Sequence, residues 1–226
     1  MRRSLGLVTV VLWAAVTTAS FAAGPQSPTD AAKINLQWGA KIPLRDGVNL
    51  NATVYRPKEQ KSPAPCIFTL TPYISQSYHD RGIYFAARGL PFLTVDARGR
   101  GNSEGTFSPL LQEAKDGHDV VEWLAKQPYC NGKISMWGGS YAGYNQWATA
   151  KEFPPHLATI VPVASPYAGV DFPMRNNITY PYVMQWLTYT SGNAGQDRIF
   201  GDSKFWAAKY REVFEAGAPF SSLDAL

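Results

Sequence analysis

Nine consecutive residues, Ser135-Met136-Trp137-Gly138-Gly139-Ser140-Tyr141-Ala142-Gly143, constrain this chain more than any other stretch. An apolar, strand-like run enters them, a helical pattern leaves them, and a serine flanked by glycines sits at the joint. A turn that sharp needs small neighbours, because the serine is held in a strained backbone conformation and side chains beside it would collide with adjacent elements. The turn lifts the hydroxyl clear of the sheet end. It also points the first N–H groups of the following helix at an oxygen bound near Ser140, where the helix dipole assists. The strict G-x-S-x-G pattern is departed from at Ala142, with glycine one position later at Gly143. Alanine is small enough for the turn to survive. A phosphate-cradling loop is the competing interpretation, and the missing Gly-Lys-Ser/Thr ending argues against it. The stretch reads as a nucleophile elbow with Ser140 as the nucleophile.

The elbow sits in a repeating pattern. Short apolar runs, Cys66–Leu70, Pro91–Val95, Ile134–Trp137 and Thr159–Val163, alternate with longer helical segments. That alternation predicts a mostly parallel sheet covered by helices, an α/β class. Between Val95 and Ile134, Ala114, Gly117, Val121, Leu124 and Ala125 share one face at 3.6-residue spacing, which predicts a helix packing one stripe on the sheet. Ahead of these runs, Lys41 to Arg56 forms two extended segments around Asp46-Gly47, a dipeptide at ease with positive φ; an antiparallel hairpin is expected to open the domain near Ile34. Beyond about Pro166 the strand pattern gives way to aromatic-rich, Pro-broken sequence with short helical stretches.

At the N-terminus Arg2 and Arg3 precede an uncharged run from Leu5 to Val16, and Ser20 and Ala22 flank Phe21 in a small-x-small pattern. This predicts a secretory signal peptide over residues 1–22, with secretion or a periplasmic location to follow; the paired arginines also resemble a twin-arginine export signal. The apolar run is short for a membrane span, so no stable insertion is expected after cleavage. Residues 24 to 33 read as a flexible leader. Removing the two signal arginines from 21 basic and 17 acidic residues leaves 19 against 17, or +2. So small a surplus, without a Lys/Arg cluster beyond Arg98 and Arg100, does not point to nucleic acid as a partner.

Two further stretches carry chemistry-bearing residues. Asp96-Ala97-Arg98-Gly99-Arg100-Gly101-Asn102-Ser103-Glu104-Gly105 follows a predicted strand, but its glycines do not fit G-x-G-x-x-G. It reads as a structured crossing loop in which Arg and Asp pair locally. Leu70-Thr71-Pro72-Tyr73 ends another strand, stiffened by proline, and brings Tyr73 to the same rim as the elbow.

These stretches together resemble the family of X-prolyl dipeptidyl peptidases, cocaine-esterase-like hydrolases and α-amino-acid ester hydrolases. Gly138-Gly139-Ser140-Tyr141-Ala142-Gly143 matches that family's G-x-S-Y-x-G, the Asp96-to-Gly105 loop resembles its D-x-R-G-x-G-x-S-x-G, and Pro72-Tyr73 resembles its oxyanion-loop P-Y. Val121-Glu122-Trp123-Leu124 before Asn131-Gly132-Lys133 adds to the likeness, which runs from about Ile42 to Ala164. The resemblance implies an α/β-hydrolase fold with residues 23–165 as the first part of its core and 166–226 as the start of a helical cap. It implies acyl transfer through Ser140, with the oxyanion held by the Tyr141 backbone N–H and the Tyr73 phenol, and no cofactor. Trp186, followed by Thr190-Ser191-Gly192, resembles an acyl-pocket tryptophan, the alternative being packing within the cap. The substrate class is a small ester or short peptide, X-Pro dipeptides among them; a β-lactam acylase of the same fold and a non-catalytic secreted module are the competing functions.

The family supplies its triad in the order Ser, acid, His. His79 and His118 precede Ser140 and His156 follows it too soon, while Asp197, Asp202 and Asp224 read as solvated. The triad acid and histidine are therefore expected beyond Leu226, the chain is expected to be a truncated N-terminal portion, and turnover by it alone is expected to be poor. Cys66 and Cys130 flank strands that are neighbours in this fold. Two buried thiols are the expected state and a bridge is the alternative.

Overall fold

The computed structural model describes residues 28–194 and 197–225. The expected signal peptide, residues 1–22, and residues 24–27 of the expected leader lie outside the described residues, whereas the rest of that leader, residues 28–33, is ordered as a helical turn. A short helix α1 (Pro28–Ala31) leads into β1 (Ile34–Pro43) and β2 (Asn49–Pro57), an antiparallel hairpin. Its turn is closed by the Gly47 N–H donating to the Leu44 carbonyl at 3.0 Å, with Gly47 at φ 87°. There follow β3 (Ala64–Thr71), α2 (His79–Ala86), β4 (Phe92–Asp96), α3 (Glu113–Ala125), β5 (Cys130–Gly139), α4 (Tyr141–Ala150) and β6 (Leu157–Val163). A two-stranded ribbon, β7 (Met174–Arg175) and β8 (Ile178–Thr179), then precedes α5 (Pro181–Thr190), α6 (Asp197–Phe200) and α7 (Ser203–Glu215).

The six long strands form one sheet in the order β1-β2-β4-β3-β5-β6. β1, β2 and β4 are antiparallel neighbours, and β4, β3, β5 and β6 run parallel. Alternate residues of a strand face opposite sides, and helices cover both. On one side Val54, Leu93, Val95, Phe68 and Met136 meet Val120, Val121 and Leu124 of α3. On the other, Tyr55 and Phe92 meet Ile83 and Ala86 of α2. After β3 the chain steps outward to β4 and then returns past β3 to β5. The direction of winding thus reverses between β3 and β5, and a crevice opens there at the carboxyl ends of the strands. Register puts Thr71 opposite Asp96 and Gly139 opposite Val163, so the loops after these strands emerge along one edge.

At the other end of the same two strands the cysteines are bonded: Cys66 and Cys130 form a disulfide with Cα atoms 5.6 Å apart. This corrects the expectation of two free thiols. The register between β3 and β5 shifts between Ala64 and Cys66, and Ala64 rather than Cys66 lies opposite Cys130. Nothing in the local sequence signals that irregularity. A second correction concerns the loop after β4. Arg98 does not pair with Asp96; its guanidinium reaches Asp116 on α3 at 2.7 and 3.0 Å and Asp46 in the hairpin turn at 2.7 Å.

Candidate active site

Ser140 joins β5 to α4 at φ 56° and ψ −123°, a left-handed conformation that a serine adopts only under constraint. The constraint comes from both sides. Its N–H donates to the Val163 carbonyl of β6 at 2.9 Å, and its own carbonyl accepts from Gly143 and Tyr144 N–H at 2.8 and 3.0 Å, the first turn of α4. The small residues around it are required by contact. A Cβ on Gly138 would lie 2.7 Å from the Ala142 Cβ and 2.9 Å from Thr69 Oγ1, and one on Gly143 would lie 3.0 Å from the Ser165 Cβ. Ala142 is tolerated because it packs over the bare Cα of Gly138.

Across the crevice, the loop after β3 carries Tyr73. Its phenol oxygen is 3.2 Å from Ser140 Oγ. Burial pushes the Tyr73 phenol up, so at neutral pH it keeps its proton. The Tyr73 ring stacks on Tyr189 of α5 at 5.3 Å between centroids, and Trp186 of the same helix donates its indole Nε1–H to the Tyr73 oxygen at 3.2 Å. Trp186 is buried, and its ring stacks on Tyr141 at 5.6 Å and meets Phe172 edge-on. Sequence-selected Ser140, Tyr73, Tyr141 and Trp186 are thus brought together around one cavity of about 450 Å³, with Asp171 and Tyr182 on its wall.

Two residues that sequence reasoning missed hold this arrangement. Arg100 is completely buried, and among the described residues its guanidinium bonds to backbone carbonyls and not to a carboxylate within salt-bridge distance. Its guanidinium donates to the Pro72 carbonyl beside Tyr73 at 2.8 Å, and to the carbonyls of Tyr189 at 3.0 Å, Ser191 at 2.9 Å and Gly192 at the end of α5. A cation at a helix C-terminus also complements the helix dipole. It fastens the Tyr73 loop to the helix bearing Trp186. Glu113, at the start of α3, accepts the Tyr141 phenol proton and the N–H groups of Leu110 and Gln112. Leu110 also donates to the Tyr141 oxygen at 2.6 Å. Burial pushes the Glu113 carboxyl up, and burial together with the Glu113 charge pushes the Tyr141 phenol up. A carboxylate one helical turn ahead of the apolar stripe at Gly117, Val120, Val121 and Leu124 was the available signal for Glu113.

Asp96, read as a local partner for arginine, instead accepts from the Ser75 N–H at 2.6 Å and Asn51 Nδ2 at 3.3 Å in the interior, and burial raises its pKa. Each histidine is engaged away from Ser140: His79 Nδ1 lies 3.0 Å from the Tyr55 phenol, His118 Nδ1 3.0 Å from the Arg45 guanidinium, and His156 Nδ1 2.8 Å from Glu122. Asp202 is the N-cap of α7, accepting from Lys204 and Phe205 N–H. The side chains of Asp197 and Asp224 lie outside the described residues.

The model of the X-Pro dipeptidyl-peptidase (S15) family matches residues 46–217. The cocaine esterase of Rhodococcus sp. (strain MB1 Bresler) is 32% identical over 127 residues, covering 54% of this chain and 22% of that protein. Among solved structures, an α-amino acid ester hydrolase superposes with a TM-score of 0.61 at 24% identity, over 79% of this chain and 34% of the other. An α/β hydrolase from Penicillium sp. sh18 superposes with a TM-score of 0.53 at 22% identity, over 82% of this chain and 68% of the other. The chain therefore spans about a fifth of the length of the cocaine esterase and about a third of the ester hydrolase. With a sheet wound outward on both sides of β3, a serine in a strained turn at the switch point and a family match across most of its residues, this chain is an α/β hydrolase and belongs to the X-Pro dipeptidyl-peptidase (S15) family.

Proposed function

We propose that this chain carries the nucleophile and oxyanion site of a secreted serine hydrolase that cleaves small esters or amides, short X-Pro peptides among them. The observation that carries the proposal is the 3.2 Å approach of the Tyr73 phenol to Ser140 Oγ at the wall of the cavity. Ser140 Oγ attacks the carbonyl carbon, and the carbonyl oxygen becomes an oxyanion beside two donors, the Tyr73 O–H and the Tyr141 N–H. Collapse expels the alcohol or amine, which takes up the proton that Ser140 gave to its base, and water releases the acyl group. The likeness to the Rhodococcus cocaine esterase favours an ester substrate. The Cys66–Cys130 disulfide and the arginine-led apolar N-terminus favour an exported protein.

The three histidines, bonded to Tyr55, Arg45 and Glu122, offer Ser140 no base. This chain by itself is accordingly expected to turn over activated esters slowly. The same observation favours a second reading, a non-catalytic module. The two are separated by a fluorophosphonate probe, with which Ser140 Oγ would form a P–O bond as fluoride leaves and its proton passes to solvent. Under our proposal intact-mass analysis shows slow labelling that Ser140→Ala abolishes and Tyr73→Phe slows by about 10²–10³. No labelling at all would favour the module. Rapid p-nitrophenyl ester hydrolysis lost in Ser140→Ala would overturn the account of the missing base.

A further inference from the structure

The Tyr73 phenol has one proton and an oxygen that accepts, whereas an indole N–H only donates. Trp186 Nε1 lies 3.2 Å from the Tyr73 oxygen, and the Tyr141 backbone N–H also faces it. A proton turned toward either of these groups would meet another proton. Among the described residues the other hydrogen-bond neighbour of the phenol oxygen is Ser140 Oγ at 3.2 Å, which is able to accept. The indole has a fixed place: its ring is stacked on Tyr141 and edged by Phe172, and its helix is bound at the C-terminus by Arg100. An apolar wall needs none of this polarity, since a phenyl ring would fill most of the same space.

We propose that Trp186 is a positioning residue whose indole N–H, by occupying the Tyr73 oxygen, turns the single phenol proton toward Ser140 and toward any oxyanion formed there. The inference rests on the acyl-transfer reading above. It gives Trp186 a task separate from lining an acyl pocket, because the task resides in one N–H and not in the ring face. Removing that N–H leaves Tyr73 free to point its proton elsewhere, so an oxyanion loses part of a donor it would otherwise find already aimed.

Trp186→Phe keeps an aromatic ring against Tyr141 and removes the donor. Fluorophosphonate labelling of Ser140 is measured in the wild type, Trp186→Phe, Tyr73→Phe and the double variant, each checked for folding by thermal melting. Trp186→Phe is expected to slow the maximal labelling rate about tenfold, roughly one hydrogen bond's worth, while the half-saturating probe concentration moves by less than about threefold. In the Tyr73→Phe background, where there is no phenol to orient, it is expected to cost nothing further. A second measurement needs no reaction. The Trp186 indole N–H resonance, identified by its loss in Trp186→Phe, is expected to move upfield in Tyr73→Phe as its acceptor disappears. Equal slowing in both backgrounds, or an indole resonance that ignores Tyr73→Phe, overturns the proposal. If Ser140 takes no label in any form, the acyl-transfer reading fails, and the indole resonance alone decides between an oriented phenol and a packed one.

Discussion

Glu113 carries a carboxyl into the interior, where the Tyr141 phenol and the N–H groups of Leu110 and Gln112 donate to it. Burial is the largest influence on it and raises its pKa in the folded state. A carboxyl raised in this way holds more protons folded than unfolded, so its contribution to stability is full below the unfolded value and is lost as pH rises through the folded one. Buried Asp96, raised for the same reason, adds to that slope. Melting temperature is therefore expected to decline as pH rises above the usual carboxylate range. Glu113→Gln keeps an acceptor for Tyr141 and removes the titrating group. It is expected to be less stable than wild type at the acid end by about 1 kcal/mol, for the bond from Gln112 that an amide nitrogen cannot accept. Its decline with pH should be shallower. Parallel melting curves for the two proteins would show that Glu113 stays ionised throughout.

At the level of the elements, what the sequence revealed and what it hid divide along a physical line. Strand and helix patterns are local, and each apolar run singled out falls on a strand of the sheet, Pro91 alone lying one residue ahead of β4. The Asp46-Gly47 turn is likewise a two-residue signal that the backbone obeys. Pairings set by distant segments were hidden. Arg98 finds Asp116 and Asp46 because the hairpin and α3 both close over its loop; Arg100 finds carbonyls because α5 ends above it. Glu113 and Asp116 look like a solvent-facing first turn, and their burial follows from Tyr141 and Arg98, which lie elsewhere in the chain. Even β5 begins earlier than its apolar run, at Cys130, since Asn131-Gly132 reads as a turn and yet lies in the strand, its pairing to β3 marked by a register shift. The elbow was legible because its demand is steric and local. That demand can be measured: Gly138→Ala puts a Cβ against both the Ala142 methyl and Thr69, each under 3 Å. Overpacking of this kind is expected to destabilise the fold by about 1–3 kcal/mol, read from chemical denaturation. Combining it with Ala142→Gly, which vacates one of the two contacts, should recover part of the loss. A double variant no more stable than Gly138→Ala would shift the strain onto Thr69.

For the whole molecule, the four residues of the site come from three separated stretches, Tyr73 after β3, Ser140 and Tyr141 after β5, and Trp186 on α5, and the sheet is what brings the first two together. The disulfide between Cys66 and Cys130, 64 residues apart in sequence, closes β4, α2 and α3 into a covalent ring at the far end of the same two strands. Closing a loop of that length removes chain entropy from the unfolded state worth about 4 kcal/mol on the entropic model. The ring has another property. Leu111, in the loop ahead of α3, is 79% exposed and lies inside it. A protease that cuts there leaves Tyr73 on one polypeptide and Ser140 on another, with the sulfur bridge still spanning the break. Limited chymotrypsin digestion is expected to yield a species heavier than the intact chain by one water, migrating as one particle without reductant and separating into two pieces once thiol is added. The two halves of the proposed oxyanion site would then belong to different peptides and still share one molecule.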